Sequence, residues 1–406
     1  MMSSELVVAP VLVGRRRLSD GELGLLLDAH ARHLAGRGGK RLSLPFVDFS
    51  GLNLDGRDLS GADFTGSVFD FARLSGARLA GANLSGCDLR QADLRQADLS
   101  RANLRGACLS GANLTGADLR EADLRPGKMA KPHPSKGFPA VVEEPRTAQL
   151  DGAILAGAVL DGALLDGAYG AGADFTDASL RETRLTDACL RGAVFVEAVL
   201  TRADVGGADL SQADFTRADL GVMSLAAARR AGAKFHQVRE PPDRPTVLRA
   251  QQLIAKARGH DAWVRTGGKD GRPAVLDGED LRPALGELKG LRLTAISAKN
   301  ASFAGLDLSG VHLQGANLEG ADLRDANLAG ADLRGARLVG ANLTRADLSG
   351  ALVGALPLAS GRGTPANLTG ARMRYARLTE ADFDGALIDE TDARGCRPPL
   401  QRPLEL

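Results

Sequence analysis

The sequence predicts an all-β solenoid built from five-residue units, four of them to a coil. Three observations carry this. A Leu or Phe falls at every fifth residue from Phe49 to Leu124, beginning Phe49, Leu54, Leu59, Phe64, Phe69, Leu74. Ala stands two residues before most of these, as at Ala62, Ala72, Ala77, Ala82 and Ala92. Aromatic residues recur at a step of twenty: Phe49 and Phe69, then Phe175, Phe195, Phe215 and Phe235.

The unit reads A-(D/N)-L-x-G. In extended chain, residues two apart point the same way, so Ala and Leu face inward and the Asp or Asn between them faces outward. The pair that follows usually contains Gly, which accepts turn dihedrals that other residues resist. Each unit therefore supplies one short inward segment and one corner. A helix is excluded, because a five-residue period would smear the leucines around a cylinder of 3.6 residues per turn. A twenty-residue step stacks like rings on one face, and offset aromatic pairs are favourable. Phe175, Phe195, Phe215 and Phe235 are accordingly predicted to form a buried core ladder.

These motifs resemble those of the pentapeptide-repeat superfamily over roughly two-thirds of the chain. The resemblance implies a right-handed quadrilateral β-helix with the central Leu or Phe and the preceding Ala inside; the handedness comes from the family alone.

The expected organisation is as follows. Residues 1–43 form an N-terminal segment with a helix, 44–124 a first repeat array, 125–149 a Pro-rich loop, and 150–237 the same array continued. Residues 238–290 form a linker with a second helix, 291–393 a second solenoid, and 394–406 a Pro-rich tail. The helices are predicted at 19–35 and 246–265. Ser19-Asp20-Gly21-Glu22 is a capping-box pattern ahead of an apolar run, and Gly36, Gly38 and Gly39 end it. His30-Ala31-Arg32-His33-Leu34 aligns with His260-Asp261-Ala262-Trp263-Val264, each followed by a glycine pair. This reads as a duplicated helix-then-solenoid unit with its boundary near residue 238. Each helix is expected to cover an open solenoid end, which otherwise exposes unpaired strand groups; a recognition role is the other reading.

Composition narrows the function. With 50 Gly, one Trp and two Tyr among 406 residues, a core of large side chains is not expected; a solenoid needs none, because each repeat packs on its neighbours. The net charge of +1 argues against a polyanion or polycation, and four cysteines are too few for a disulfide framework. The first residues make a poor signal peptide and no apolar run approaches membrane-spanning length, so a cytoplasmic protein without membrane contact is expected. No phosphate-binding loop, nucleophile elbow or dinucleotide fingerprint occurs. His30 and His33 lie three apart without a Cys or carboxylate cluster to complete a metal site, so they read as helix packing. Cys87 takes the inward small position, Cys108 and Cys189 point outward, and Cys396 falls in the tail. The many Asp residues are read as outward corner groups rather than acid–base pairs. The expectation is therefore no enzyme, no cofactor and no metal.

What remains is a binding surface. A rigid protein-binding or assembly scaffold is favoured, with the loop as candidate partner contact through Lys128, Met129, Lys131, His133, Lys136 and Phe138; a tolerated insertion is the alternative. The resemblance extends to accessory components encoded with bacterial contractile secretion systems, and to a branch that mimics DNA and binds DNA gyrase or topoisomerase IV. For the latter, duplex DNA carries about one charge per 1.7 Å. About thirteen coils span roughly 60 Å, so a faithful mimic needs on the order of thirty-five net negative charges. The three arrays hold 35 acidic and 26 basic residues, a net charge of −9. Arg78, Arg90, Arg95, Arg105, Arg120 and Arg125 interrupt any acidic stripe. Nucleic-acid binding is not expected either, since basic residues are scattered and exposed aromatics few.

Overall fold

The computed structural model describes residues 15–132, 139–357, 363–398 and 400. The chain divides into two compact units, Met1–Glu240 and Pro241–Leu406.

In the first unit the outward residue of each pentapeptide bridges in parallel to the residue twenty positions on. Asn53 pairs with Arg73, Asp58 with Arg78, Asp63 with Asn83 and Val68 with Asp88, so four ladders make one coil. The main chain closes each step twice: Leu54 N–H donates to the Arg73 carbonyl at 2.7 Å, and Arg73 N–H to the Leu52 carbonyl at 2.9 Å. Corners are tight turns in which the residue three along donates back, as Leu52 N–H does to the Phe49 carbonyl at 3.0 Å. The third turn residue lies in the left-handed region, Gly51 at φ +69° for example, which is why Gly recurs there. Gln96 and Arg202 hold the same conformation without being glycine.

Inside, the central Leu and Phe and the preceding Ala are buried along most of both units, and are partly buried in the last coil of each, as at Leu225, Phe235 and Phe383. The Phe175, Phe195, Phe215 and Phe235 rings stack at centroid separations of 4.9, 4.8 and 5.1 Å, within 5° of parallel. Phe235 is half-buried, because the ladder of central residues has no further coil above it. A second cluster joins Phe49 and Phe69, stacked at 4.7 Å, with Phe64 edge-on to both. Where the small inward residue is polar, it donates to the carbonyl twenty-three residues earlier: Ser67 to Leu44 at 2.8 Å, Cys87 to Phe64 at 3.0 Å, Thr183 to Leu160 at 2.8 Å. Burial pushes the Cys87 thiol up to about 12.

Each unit opens on a helix. Strand β1 (Arg16–Arg17) pairs in parallel with β2 (Val47–Asp48) and so occupies the edge below the first coil. Helix α1 (Asp20–Leu34) carries the capping box, Ser19 and Glu22 satisfying each other's backbone N–H. Helix α2 (Arg244–Arg265) begins two residues earlier than the sequence suggests. Asp243 is its N-cap, accepting from Thr246 N–H at 2.8 Å, and Pro245 sits in its first turn, where proline is tolerated. Both helices are tied to their solenoids by one device. Leu42 N–H donates to His30 Nδ1 at 3.1 Å, and Ala274 N–H donates to His260 Nδ1 at 3.0 Å. His260 Nε2–H also donates to the Thr294 carbonyl at 3.0 Å. Both imidazoles are buried. These two histidines are structural acceptors; the His30 and His33 rings stack at 6.3 Å.

Four segments differ from the sequence reading. The segment 125–149 is not a structureless loop: β3 (Gly127–Pro132) and β4 (Pro139–Arg146) pair antiparallel, with a register irregularity between Met129 and Lys131. It interrupts the coil without displacing it, for Cys108 bridges Gln149 across the insertion. A smaller excursion within the second solenoid is the antiparallel pair β5 (Leu356–Pro357) and β6 (Gly363–Thr364). The second solenoid starts inside the expected linker: Val275 bridges Ser297, and Leu276, Leu281, Ala284 and Leu288 are buried. Its first coil holds two extra residues at a 3₁₀ turn, Arg282–Ala284, and that shift broke the five-residue phase. At the other end Arg397 bridges Arg377, and Cys396 is buried with its thiol donating to the Met373 carbonyl at 2.9 Å. Cys396 is thus an inward residue of the last coil, and burial pushes it up to about 11.

Phe195→Ala is expected to cost about 3–5 kcal/mol, the range for a buried aromatic, in a urea titration; a loss below ~0.5 kcal/mol would contradict its place in the stack. Burial disfavours the imidazolium of His30 and holds its pKa below the ordinary range, although Asp58 opposes the shift. The native state therefore favours the neutral ring. Stability is full above the unfolded pKa of about 6.5 and declines as pH falls below it, towards the lower folded value. Between pH 7.5 and 5.5 the melting temperature should fall, and His30→Asn, which keeps an acceptor for Leu42 N–H, should flatten that slope. Equal slopes would refute the assignment.

Candidate functional site

The outward residues of the ladders form the outer wall of the coils. Their Asp and Asn carboxyl or amide oxygens turn back to the backbone two residues on: Asp58 accepts from Ser60 N–H at 3.2 Å, Asp63 from Thr65 N–H at 3.1 Å, Asp98 from Ser100 N–H at 3.0 Å. This Asx-type bond stabilises the corner. Where Arg follows two residues after Asp, the guanidinium folds over the same carboxylate. Arg90 on Asp88, Arg95 on Asp93 and Arg125 on Asp123 each make two side-chain bonds between 2.6 and 2.9 Å. Arg120 on Asp118 repeats this in the first unit, and Arg282 on Asp280, Arg324 on Asp322, Arg334 on Asp332 and Arg394 on Asp392 in the second. The Arg95 hydrogen bonds hold the Asp93 carboxyl below its usual range despite partial burial. Arg345 and Asp325 form a bidentate pair across one coil step, at 2.7 Å for both bonds, and both side chains are nearly buried. The corner carboxylates are thus committed to structure.

The hairpin β3–β4 rises from the coil wall near Arg105 and Gly106. Arg105 donates to the Pro126 carbonyl at 2.8 Å. Gly127 lies so close to Arg105 that a Cβ there would stand 2.8 Å from the Arg105 main chain, and a Cβ on Gly106 would meet the Arg146 carbonyl at 3.0 Å. The root of the excursion is therefore packed on the solenoid. Of the residues the sequence singles out as contacts, Lys128, Met129 and Lys131 lie on β3, while His133, Lys136 and Phe138 lie outside the described residues.

The sequence reading missed the coil that follows the hairpin. Its outward positions are Ile154, Val159, Leu164 and Tyr169, all four apolar or aromatic, where most outward positions elsewhere are polar or charged. Ile154 is 40% exposed and Tyr169 48%. The signal was present in the middle letter of each A-x-L unit. Cys108, an outward residue, is nevertheless buried, its thiol 3.2 Å from Gln149 Oε1 on the next coil. Among the described residues no group of three His, Cys, Asp or Glu is placed to hold a metal ion. Among them, too, no helix is long and apolar enough to cross a membrane.

With this geometry in place, comparison with known proteins places the chain in the pentapeptide-repeat family. The family profile, pentapeptide repeats, matches residues 46–79, 77–116, 153–195, 193–221, 287–325, 321–352 and 366–397, more than half of the chain. No curated protein sequence matches. Among solved structures the chain is similar to Rfr23, a pentapeptide repeat protein of the cyanobacterium Cyanothece 51142. Identity is 25%, over 33% of this chain and 90% of that one, with a TM-score of 0.28. It is similar to HetL of the cyanobacterium Nostoc sp. strain PCC 7120, a pentapeptide repeat protein involved in heterocyst differentiation regulation. Identity there is 23%, over 93% and 96% of the two chains, with a TM-score of 0.15. It is also similar to QnrB1, a plasmid-mediated fluoroquinolone resistance protein, at 18% identity over 53% and 98%, with a TM-score of 0.28.

Proposed function

We propose that each unit is a right-handed quadrilateral β-helix and that the protein is a non-enzymatic, rigid scaffold that binds or assembles other proteins. One observation carries this reading: the carboxylates that crowd the coil surface are held by their own corners and by Arg two residues away. Acid–base chemistry needs a carboxylate free to exchange a proton at working pH, and these are pinned as structural anions. What such a surface offers is stiffness and shape. The packed hairpin and the Ile154–Tyr169 coil supply the departures from a uniform wall on which a partner can be specified. Binding sites are commonly carried by excursions on a rigid frame.

The same observation weighs against a DNA-mimicking modulator of gyrase or topoisomerase IV. A mimic must present unneutralised negative charge at the spacing of phosphates, and here Arg90, Arg95, Arg120 and Arg125 each sit on the acid two residues before them. A place beside a bacterial secretion system fits a scaffold and depends on the partner.

The test uses the full chain as bait in its native cell, followed by rebinding of each captured protein in purified form. A variant with residues 129–144 replaced by a short Gly/Ser linker is compared; it keeps the packed root at Gly127 and Arg146. We expect a protein partner, unchanged circular dichroism and melting for the variant, and weakened binding. In parallel, the chain should not inhibit gyrase supercoiling at low micromolar concentration. Potent inhibition, or turnover of a small substrate by the purified chain, would overturn the reading.

A further inference from the structure

One surface of the second unit breaks the rule that cations sit on neighbouring acids. The segment 266–275, which follows α2, folds back along the helix and is pinned to it at successive points. Thr266 Oγ1 donates to the Ala262 carbonyl at 2.8 Å and accepts from Asp270 N–H at 2.9 Å. Arg272 N–H donates to the Gly259 carbonyl at 3.1 Å, and Ala274 N–H to His260 Nδ1. Gly271, at φ +76°, lies so near the helix that a Cβ would stand 2.0 Å from the Gly259 carbonyl. The first unit has the same fastening, Gly39 over Ala29 and Leu42 on His30, with two fewer residues between helix and coil.

Between α2 and this segment lies an open cleft of about 880 Å³. Lys256 on the helix and Lys269 and Arg272 on the segment line it, with Ala255 and Val275 as apolar wall. All three cations are exposed, and no described carboxylate lies within ion-pair distance of them. Glu279 feels Lys256 at longer range, but Arg249 already holds that carboxylate through two hydrogen bonds. Asp270, the acid of the cleft, accepts from Gly271 N–H at 2.8 Å. Val275 is 60% exposed. The cleft therefore combines a fixed backbone, three cations against one acid, and an apolar strip.

We propose that this cleft is a docking site for an acidic peptide segment of a partner protein, one with carboxylates on either side of an apolar side chain. The proposal rests on the protein-binding reading above and names the surface that does the binding. Charge complementarity selects an anion. The size of the cleft, within the range of about 300–1,000 Å³ that holds drug-sized groups, suits several residues rather than one small ion. The exposed Val275 and Ala255 favour a peptide over a bare polyphosphate, which has no apolar group to bury.

The probe is a fluorescein-labelled octapeptide of Glu, Asp and Leu, titrated into the full chain by fluorescence anisotropy. Its Gln/Asn counterpart and a single-stranded oligonucleotide of equal charge serve as comparisons. We expect saturable binding of the acidic peptide alone, weakening as salt rises. Lys269→Gln/Arg272→Gln should weaken it by about tenfold or more, because two of the three cations of the cleft are removed. Arg57→Gln/Arg191→Gln, which removes equal charge from exposed positions elsewhere, should leave it unchanged. No binding, equal loss in both double variants, or tighter binding of the oligonucleotide would each overturn the proposal. A partner captured as well by Lys269→Gln/Arg272→Gln as by the parent would reject the cleft and leave the scaffold reading standing. Failure to capture any partner with the parent would reject that reading instead.

Discussion

Every feature of this protein depends on main-chain hydrogen bonding between coils at a twenty-residue offset. Leu54 bonds to Arg73 and Arg73 back to Leu52, and the same pairing repeats along each ladder, its offset longer only where residues are inserted, as from Cys108 to Gln149. Once the ladders are in register, like positions stack on like. Ala and Leu meet Ala and Leu inside, so the core can be narrow and still exclude water. Corners align, so one turn geometry serves them all. Outward residues align, so an Asp can hold its own corner and receive an Arg from two residues on. Stability in such a structure is close to a sum of coil terms and nearest-neighbour terms. A polar residue at the inward small position is tolerated because the preceding coil offers a carbonyl to Ser67, Cys87 and Thr183.

The register also explains what the sequence reveals and what it conceals. Period, inward and outward faces, and the Phe175–Phe235 spacing are legible because they are local and repeated. The α1 capping box is legible for the same reason: Ser19 and Glu22 are three residues apart. The hairpin was not, since the five prolines of residues 125–149 suggest irregular chain, and its pairing joins Lys128 to Pro145 across residues with no shared pattern. The first coil of the second unit was hidden by two added residues around Arg282–Ala284. Cys396 looked like tail because the units around it have Ala393 and Pro398 where Leu is usual. Most of the Arg–Asp pairs two residues apart appear in the sequence as D-L-R. Only the geometry shows that the arginine folds onto the acid rather than pointing to solvent.

On the proposed reading, the repeat ties up most surface carboxylates and leaves specificity to its interruptions. A carboxylate that closes a corner and carries an arginine is poorly suited to proton transfer or to imitating phosphate. The hairpin at Gly127–Arg146, the apolar coil from Ile154 to Tyr169, and the cationic cleft beside α2 all occur where the A-(D/N)-L-x-G pattern is broken or altered. The helix-to-coil fastening through His30 and His260 occurs once in each unit. Only the second, with its longer connection, adds Lys269 and Asp270 to the surface.

The twenty-residue register is tested most directly by cross-linking outward positions. Arg73 and Asp93 are bridge partners on adjacent coils, and neighbouring strands lie about 4.8 Å apart, inside the Cα range of roughly 4.4–6.8 Å that a disulfide spans. Arg73→Cys/Asp93→Cys should oxidise readily to an intramolecular disulfide in the folded protein. Arg73→Cys/Asp88→Cys and Arg73→Cys/Asp98→Cys, fifteen and twenty-five residues apart, place the thiols on neighbouring faces and should not. Equal or faster cross-linking of either control pair would contradict the coil on which the whole account rests.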